Sequence, residues 1–412
     1  MSRTLVRFVG LAFIASLAVT PVSAQPPERG WIVVLSSGDP GTTASAHASE
    51  YGAQVSHVYR HALRGYAAQM SDEAAARVEA SPNVRSVEAD RPVAIAAAAP
   101  PAVIAAETVP WGVQRIGADG GATGSGVHVY VLDTGIDSNH PDLAGRIGQG
   151  YAVERCRGRD CLTAWDDDHG HGTHVAGTVA ANDNARDVLG IAPAATLHAV
   201  KVLSKAGSGS ISGIIAGIDW VAGRTSTSGQ ASVANMSLGG SGTKTGTCGE
   251  GGFTGAGAFH QATCGARHAG VVFAVAAGNS GTDAGSTTPA AFDDAALAVS
   301  ATKCALSAQS CAAGTDDWPS WSNYGSAVAM AAPGVSVLSA RKGGGTTTMS
   351  GTSMASPHVA GALARWLGAN PHTADGDAFT DARAALMAGA EDTADWVNTS
   401  GRPHPEPFLH AP

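Results

Sequence analysis

Residues 126–135 read GVHVYVLDTG. A short, nearly unbroken apolar run rich in β-branched residues, closed by a glycine turn, reads as a strand buried on both faces. The pattern returns in TLHAVKVL (196–203), ASVANMSLG (231–239), GVVFAVAAGN (270–279) and ALAVSAT (296–302). Helical stretches fall between and after them: HGTHVAGTVAA (171–181), SGIIAGIDWVAG (212–223) and SPHVAGALARWLG (356–368). Buried strands alternating with helices predict an α/β domain with a central, mostly parallel sheet.

The segment before this domain has a different rhythm. WIVVLS (31–36) reads as a strand, TASAHASEYG (43–52) as a helix, and AQVSHVYR (53–60) and RGYAAQMS (64–71) as strands. DEAAARVEAS (72–81) reads as a helix with Ser71 as its N-cap, and NVRSVEADRPV (83–93) as a last strand. The order β-α-β-β-α-β is that of a small ferredoxin-like α+β domain over residues 25–94. Residues 95–105 are Ala- and Pro-rich and read as a linker open to proteolysis. The α/β domain then occupies 106–412.

At the N-terminus, Arg3 and Arg7 precede the apolar run FVGLAFIASLAV, and VSA ends at Ala24. That is the anatomy of a secretory signal over residues 1–24. The apolar run is short for a bilayer span, and no later run is long enough either, AIAAAAPPAVIAA being broken by Pro100 and Pro101. The mature chain is expected to be exported, extracellular or periplasmic, with no membrane attachment after signal removal. A net charge of -9 argues against nucleic-acid binding. With 44% hydrophobic and 14% charged residues the chain can bury a large core. The six cysteines, Cys156, Cys161, Cys248, Cys264, Cys304 and Cys311, form three close pairs, and export permits disulfides. Pairing of nearest neighbours is expected, although sequence alone leaves the connectivity open.

Sites in open α/β sheets gather at the carboxyl ends of strands. VLDTGID places Asp133 there. HGHGTHVAG places His171 where a glycine-rich loop enters a helix, and GTSMASPHVAG places Ser353 in the same kind of position. A serine hydroxyl becomes a nucleophile only when an imidazole takes its proton, and a carboxylate must hold that imidazole in the right tautomer. Pro357 removes the helical bond to the Ser353 carbonyl, which only a first turn tolerates. Ser356 is the competing serine, and His358 reads as a packed residue. Two other readings exist. His169, His171 and His174 beside Asp166–Asp168 could hold zinc, but the glutamate of H-E-x-x-H is missing. A catalytically dead binding module could share the fold, but the three chemical groups are all present.

The segments VLDTGID, HGTHVAGTVA and GTSMASPHVAG resemble the signature segments of the subtilisin-like serine peptidases, including proteinase K-like members, over essentially residues 106–395. The resemblance implies a three-layer subtilisin-like domain and a serine endopeptidase acting on polypeptides. It makes Asp133 the orienting carboxylate, His171 the general base and acid, Ser353 the nucleophile and Asn279 the side-chain oxyanion donor. Ser237, Leu238 and Gly239, with Ala276, Ala277 and Gly278, resemble the family's two substrate-flanking edges, and their small apolar walls suggest a broad, hydrophobic preference. A structural calcium site, in the family's manner, would use Glu107, Asp142 and Asn184 with the carbonyls of Asn182, Arg186 and Val188. A second, proteinase K-like site would need an acid where Lys303 stands. The N-terminal unit resembles the family's inhibitor propeptide, so self-cleavage is expected near Ala105–Ala106, with the propeptide as an inhibitor and the mature enzyme a monomer.

Overall fold

The computed structural model describes residues 28–95, 106–304, 311 and 315–412. The signal segment, most of the 95–105 linker and Ala105 itself lie outside the described residues. Among those described, the larger domain is built on an eight-stranded sheet. The strands 151–152, 196–201, 128–133, 232–236, 271–276, 297–304 and 328–333 lie side by side and run parallel, with Asp316–Asp317 added antiparallel to the end of 297–304.

Successive residues of these strands point to opposite faces, and each face meets its own helices. Val129, Val131, Val233 and Val272 share a core with Val175 and Val179 of the helix His171–Ala180 and Val359 and Leu363 of the helix Thr352–Ala369. Tyr130, Leu132, Ala234 and Phe273 instead pack with Ile214 and Ile218 of the helix Ile211–Ser228 and Phe259 of the helix Ala258–His268. This is the expected helix–sheet–helix sandwich. Both faces are buried because the helices carried in the crossovers between parallel strands, with the helix Thr352–Ala369, cover them.

The N-terminal unit is a four-stranded antiparallel sheet with two helices, and its strands lie in the order 54–59, 65–70, 29–35, 84–89. Its first helix, Pro40–Tyr51, starts earlier than the sequence pattern suggested. Asp39 accepts the Thr42 N–H at 2.8 Å and Pro40 takes the first turn, where its missing N–H costs nothing. Ser71 caps the second helix, Asp72–Glu79, as expected. The expected last strand, 83–93, is two strands: Val84–Ala89 completes this sheet, whereas Pro92–Ala94 leaves it to pair with Ser208–Ser210 of the larger domain.

One face of the small sheet belongs to the large domain's core. Ile32, Val34, Tyr59 and Ala67 pack in the same cluster as Ile214 and Phe259. Acids bind backbone N–H groups across this seam. Glu88 accepts the Ala258 N–H at 2.9 Å, and Asp90 accepts the Ser212 N–H at 2.9 Å, both in first helical turns whose N–H groups have no helical partner. In the other direction, the Asp219 carboxylate accepts N–H groups from Arg60 at 3.0 Å, His61 at 2.6 Å and Ala62 at 2.7 Å.

Three disulfides join nearest-neighbour cysteines: Cys156–Cys161, Cys248–Cys264 and Cys304–Cys311. The second ties a small hairpin to the helix Ala258–His268. The C-terminal tail runs along the outer strand Val328–Pro333. There Leu409 donates its N–H to the Ala331 carbonyl at 2.9 Å, and Phe408 and Leu409 are fully buried.

Candidate active site

The strand His128–Asp133 ends with Asp133, whose carboxylate is fully buried. It accepts the Thr134 N–H at 2.7 Å and the His171 Nδ1–H at 2.8 Å. With Nδ1 committed as donor, the neutral ring keeps its lone pair on Nε2. That atom is buried and has no hydrogen-bond partner among the described residues.

His171 reaches this position because Asp167 organises the loop before it. Asp167 accepts N–H groups from His169 (2.9 Å), Gly170 (2.8 Å) and Thr173 (2.9 Å) and hydroxyls from Thr134 and Thr173. Gly172 has no room for a side chain, since a Cβ would sit 2.1 Å from the Gly135 carbonyl. The neighbouring acids are equally committed. Asp166 accepts the Ser138 and Thr163 N–H groups, and Asp168 pairs with the buried Lys201 ammonium at 2.6 Å. The histidines of the zinc alternative diverge: the His174 Nε2 goes to the Val337 carbonyl, and the His171 Nδ1 to Asp133. Burial holds the His174 ring neutral, pushed down to about 3.

Ser353 sits in the first turn of the helix Thr352–Ala369. Its hydroxyl donates to the Ser237 carbonyl at 3.2 Å, and the Ser237 hydroxyl donates to the Ser353 carbonyl at 2.7 Å. Ser237 follows the strand Ser232–Met236, whose register against His128–Asp133 pairs Val233 with Val129 and Asn235 with Val131. Two residues on, Ser237 stands level with Asp133 on the adjacent strand, and neighbouring strands lie about 4.8 Å apart. The Asp133–His171 pair and the Ser237–Ser353 pair therefore share one rim of the sheet. The Ser353 hydroxyl bonds to Ser237 rather than to His171. Ser356 is fully buried and donates to the Asn235 Oδ1 at 2.7 Å, and His358 is buried, with Nδ1 donating to the Met354 carbonyl. Both are structural.

Asn279 follows the strand Val271–Ala276. Its Oδ1 accepts both the N–H (2.8 Å) and the hydroxyl (2.9 Å) of Thr352, which leaves the amide NH₂ as the free end beside Ser353. Gly278 just before it has φ +111°, and a Cβ there would meet the Asn323 amide at 2.3 Å. Asn323 in turn accepts the Ser280 and Thr282 N–H groups, fixing the loop that carries Asn279.

A cleft of about 230 Å³ opens here, lined by Leu238, Gly239, Gly240, Ala276, Gly278, Asn279, Thr352 and Ser353, with Ala94 and Ile95 of the N-terminal unit. Of the expected edge residues, Ala277 faces away: it is fully buried and its N–H goes to the Val299 carbonyl. A third edge, Ser208–Ser210, was missed. It pairs antiparallel with Pro92–Ala94, while Ala94 and Gly239 exchange N–H···O bonds at 3.2 and 3.4 Å on the other side. The GSGS run was the available signal, since small residues leave backbone edges free.

Away from the cleft, Glu107, Asp142 and Asn184 meet as expected. Glu107 accepts the Asn184 N–H at 2.6 Å, and Asp142 accepts from the Asn184 Nδ2 at 2.8 Å and the Val188 N–H at 3.1 Å. Asp142 is fully buried, and that burial raises its carboxyl above the usual range. Among the described residues, the carbonyls of Asn182, Arg186 and Val188 accept no backbone hydrogen bond. At the second position, the Lys303 ammonium lies 3.1 Å from Asp317, so a protein cation stands there.

Comparison with known proteins gives two family matches: the subtilase family over residues 124–404 and peptidase inhibitor I9 over residues 31–96. An "Extracellular serine proteinase" from Thermus sp. (strain Rt41A) is 39% identical over 374 residues, 88% of this chain and 78% of that protein. "Subtilisin NAT" from Bacillus subtilis subsp. natto is 37% identical over 333 residues, 78% of this chain and 75% of that protein. The crystal structure of a cold adapted subtilisin-like serine proteinase superposes with a TM-score of 0.59 at 35% identity, covering 73% of this chain and 98% of that one.

Proposed function

Because this chain belongs to the subtilase family of serine peptidases and carries an I9 inhibitor domain at its N-terminus, we propose that it is an exported endopeptidase made as a self-processed zymogen and working through Asp133, His171 and Ser353. The observation that carries the reading is the rim where the 2.8 Å Asp133–His171 bond leaves a bare Nε2 beside the turn holding Ser353. In the reaction, the Ser353 oxygen attacks a peptide carbonyl carbon and its proton passes to the His171 Nε2. Asp133 stabilises the imidazolium that results. The oxygen of the tetrahedral intermediate takes hydrogen bonds from the Asn279 NH₂ and the Ser353 N–H. Collapse moves the proton to the leaving amine, and water then hydrolyses the acyl-enzyme.

Substrate lies extended between Ser208–Ser210 and Leu238–Gly239, as Pro92–Ala94 does in this structure. Its next residue meets the small walls Ala276 and Gly278. The N-terminal unit blocks the cleft as an inhibitor until it is cut within the 95–105 linker and released. The mature enzyme acts as a monomer on polypeptides. Export is supported by the signal-like N-terminus and by a relative described as extracellular. Among the described residues, no helix is long and apolar enough to cross a membrane.

A calcium ion fits the Glu107–Asp142–Asn184 cluster. A buried carboxylate, a second carboxylate and carbonyls that accept no backbone hydrogen bond among the described residues are the oxygen donors a hard cation takes. There it would tie the start of the mature domain to the 182–188 loop, without a part in the chemistry.

The test is stoichiometric labelling with a serine-directed sulfonyl fluoride. One Ser353 modified per molecule, with loss of peptidase activity and no effect of a zinc chelator, supports the reading. Full activity in Ser353→Ala defeats it.

A further inference from the structure

We propose that the mature enzyme selects polypeptides with acidic side chains two and four positions upstream of the residue that pairs with Ser210, and seats those acids on the first turns of two helices. This selection rests on the peptidase reading above and names the substrate class the cleft favours.

The N-terminal unit traces the path upstream of the cleft. Pro92 pairs with Ser210 at the cleft edge. Just before it, the Arg91 carbonyl accepts the Ile211 N–H at 2.9 Å, and the Arg91 guanidinium donates to the Ser241 carbonyl at 2.8 Å. Asp90 accepts the Ser212 N–H at 2.9 Å and the Ser212 hydroxyl at 2.6 Å, and Glu88 accepts the Ala258 N–H at 2.9 Å. The catalytic domain thus grips this chain at Glu88, Asp90, Arg91 and Pro92 in turn. A substrate lying in the cleft with residues to spare on that side crosses the same ground.

Both acid seats belong to the catalytic domain and outlast the release of the N-terminal unit. The helix Ala258–His268 starts after Gly257, which has no side chain to cap it, so its first N–H groups need an acceptor from elsewhere. In the helix Ile211–Ser228, Ser210 caps the Gly213 N–H and leaves the Ser212 N–H for a ligand. Each start is the positive end of a helix dipole, so a charged oxygen is favoured there over a neutral one.

A cavity of about 50 Å³ touches both helix starts, lined by Ile211, Gly257, Thr243 and His260 and closed by Glu88 and Arg91. His260 is fully buried. Its Nε2–H donates to Asp294 at 2.7 Å, and its Nδ1 has no hydrogen-bond partner among the described residues. With Nε2 as donor, the Nδ1 of the neutral ring is an acceptor. Amide donors for two carboxylates, with an acceptor beside them, suit a polypeptide, which brings acids and N–H groups together. An inorganic anion brings no N–H. The acid nearby is already committed: Asp294 takes the Lys244 ammonium at 2.8 Å and the Cys248 N–H at 2.9 Å, besides His260.

In the experiment the full precursor processes itself, the enzyme is purified away from its N-terminal unit, and three internally quenched peptides are compared. The first copies residues 86–95 and ends in four alanines. The second has glutamine and asparagine in place of the two acids. The third moves both acids one position toward the N-terminus. KM for the first is expected about 10-fold below that for the second at similar kcat, and the third should match the second. Ala258→Pro keeps a residue suited to a first helical position but removes its N–H, so the ratio of kcat/KM between the first and second peptides should fall to about 3. Ser212→Ala, a milder change, should lower the same ratio. Equal kcat/KM for the first two peptides, or equal benefit in the third, overturns the acid seats, while cleavage of all three leaves the peptidase reading intact. Cleavage of none overturns both.

Discussion

The Ser353 carbonyl, which Pro357 deprives of its helical N–H partner, accepts the Ser237 hydroxyl at 2.7 Å. Ser237 is held for this role by the Asn235 Nδ2 at 2.9 Å, and Asn235 in turn by the Ser356 hydroxyl. The proline that frees the first turn of the helix and the serine that satisfies its orphaned carbonyl form one device. It pins the backbone beneath the Ser353 side chain.

Ser237→Ala leaves that carbonyl buried and unpaired. Loss of about 1–3 kcal/mol of stability is expected, with a fall in kcat larger than any change in KM, because the nucleophile's turn loosens. Calorimetry and steady-state kinetics on a peptide substrate check it; an unchanged melting temperature would reject the account.

Asp219 lies on the mature domain away from the cleft, and its carboxylate collects N–H groups from Arg60, His61 and Ala62. Asp219→Asn should leave the mature enzyme's kcat/KM unchanged. Dissociation of the cleaved prodomain should speed up about 10- to 100-fold, from the loss of about 1.5–3 kcal/mol in hydrogen bonds to a charged acceptor. The regain of activity after processing measures the rate directly.

If calcium occupies the Glu107–Asp142–Asn184 cluster, chelation should lower the melting temperature of the mature enzyme and added calcium should restore it. A free concentration a thousandfold above the dissociation constant contributes about 4 kcal/mol. Asp142→Asn should abolish the chelator's effect. A wild-type melting curve indifferent to chelator and calcium would remove the ion from the description.

Burial holds three histidines neutral: His174 down to about 3, His198 to about 4 and His358 to about 4. In the unfolded chain each binds a proton near its ordinary value of 6.5. Unfolding between these limits takes up protons, so stability is fully present above about pH 6.5 and is lost as pH falls toward 4. At pH 5 each costs about 2 kcal/mol. Denaturant unfolding of Ser353→Ala should therefore show a steep decline from pH 7 to pH 5; a flat profile would contradict the burial argument.

Much of the site was legible because its chemistry is written locally. Asp133, His171 and Ser353 each sit in a strand-to-turn or loop-to-helix segment whose glycines announce the turn, and Asn279 follows the same rule. What sequence could not show depends on partners far along the chain. Ser237 as the acceptor's answer to Pro357 lies more than a hundred residues away. Ala277 was taken for a cleft residue because alternation at a strand end is ambiguous by one position. The strand 83–93 looked continuous, since nothing local reveals that Asp90 turns aside to the Ser212 N–H. The seating of the tail is not legible because Phe408 and Leu409 bury against an edge strand that local pattern cannot identify.

The seam at Asp219 reads backbone rather than side chains. The carboxylate grips amide hydrogens that every residue except proline possesses, so it constrains the path of the 60–62 turn and not its letters. Proline is thus the one substitution the lock itself forbids at those three positions, while the core of the seam separately confines the buried Ala62 to a small side chain.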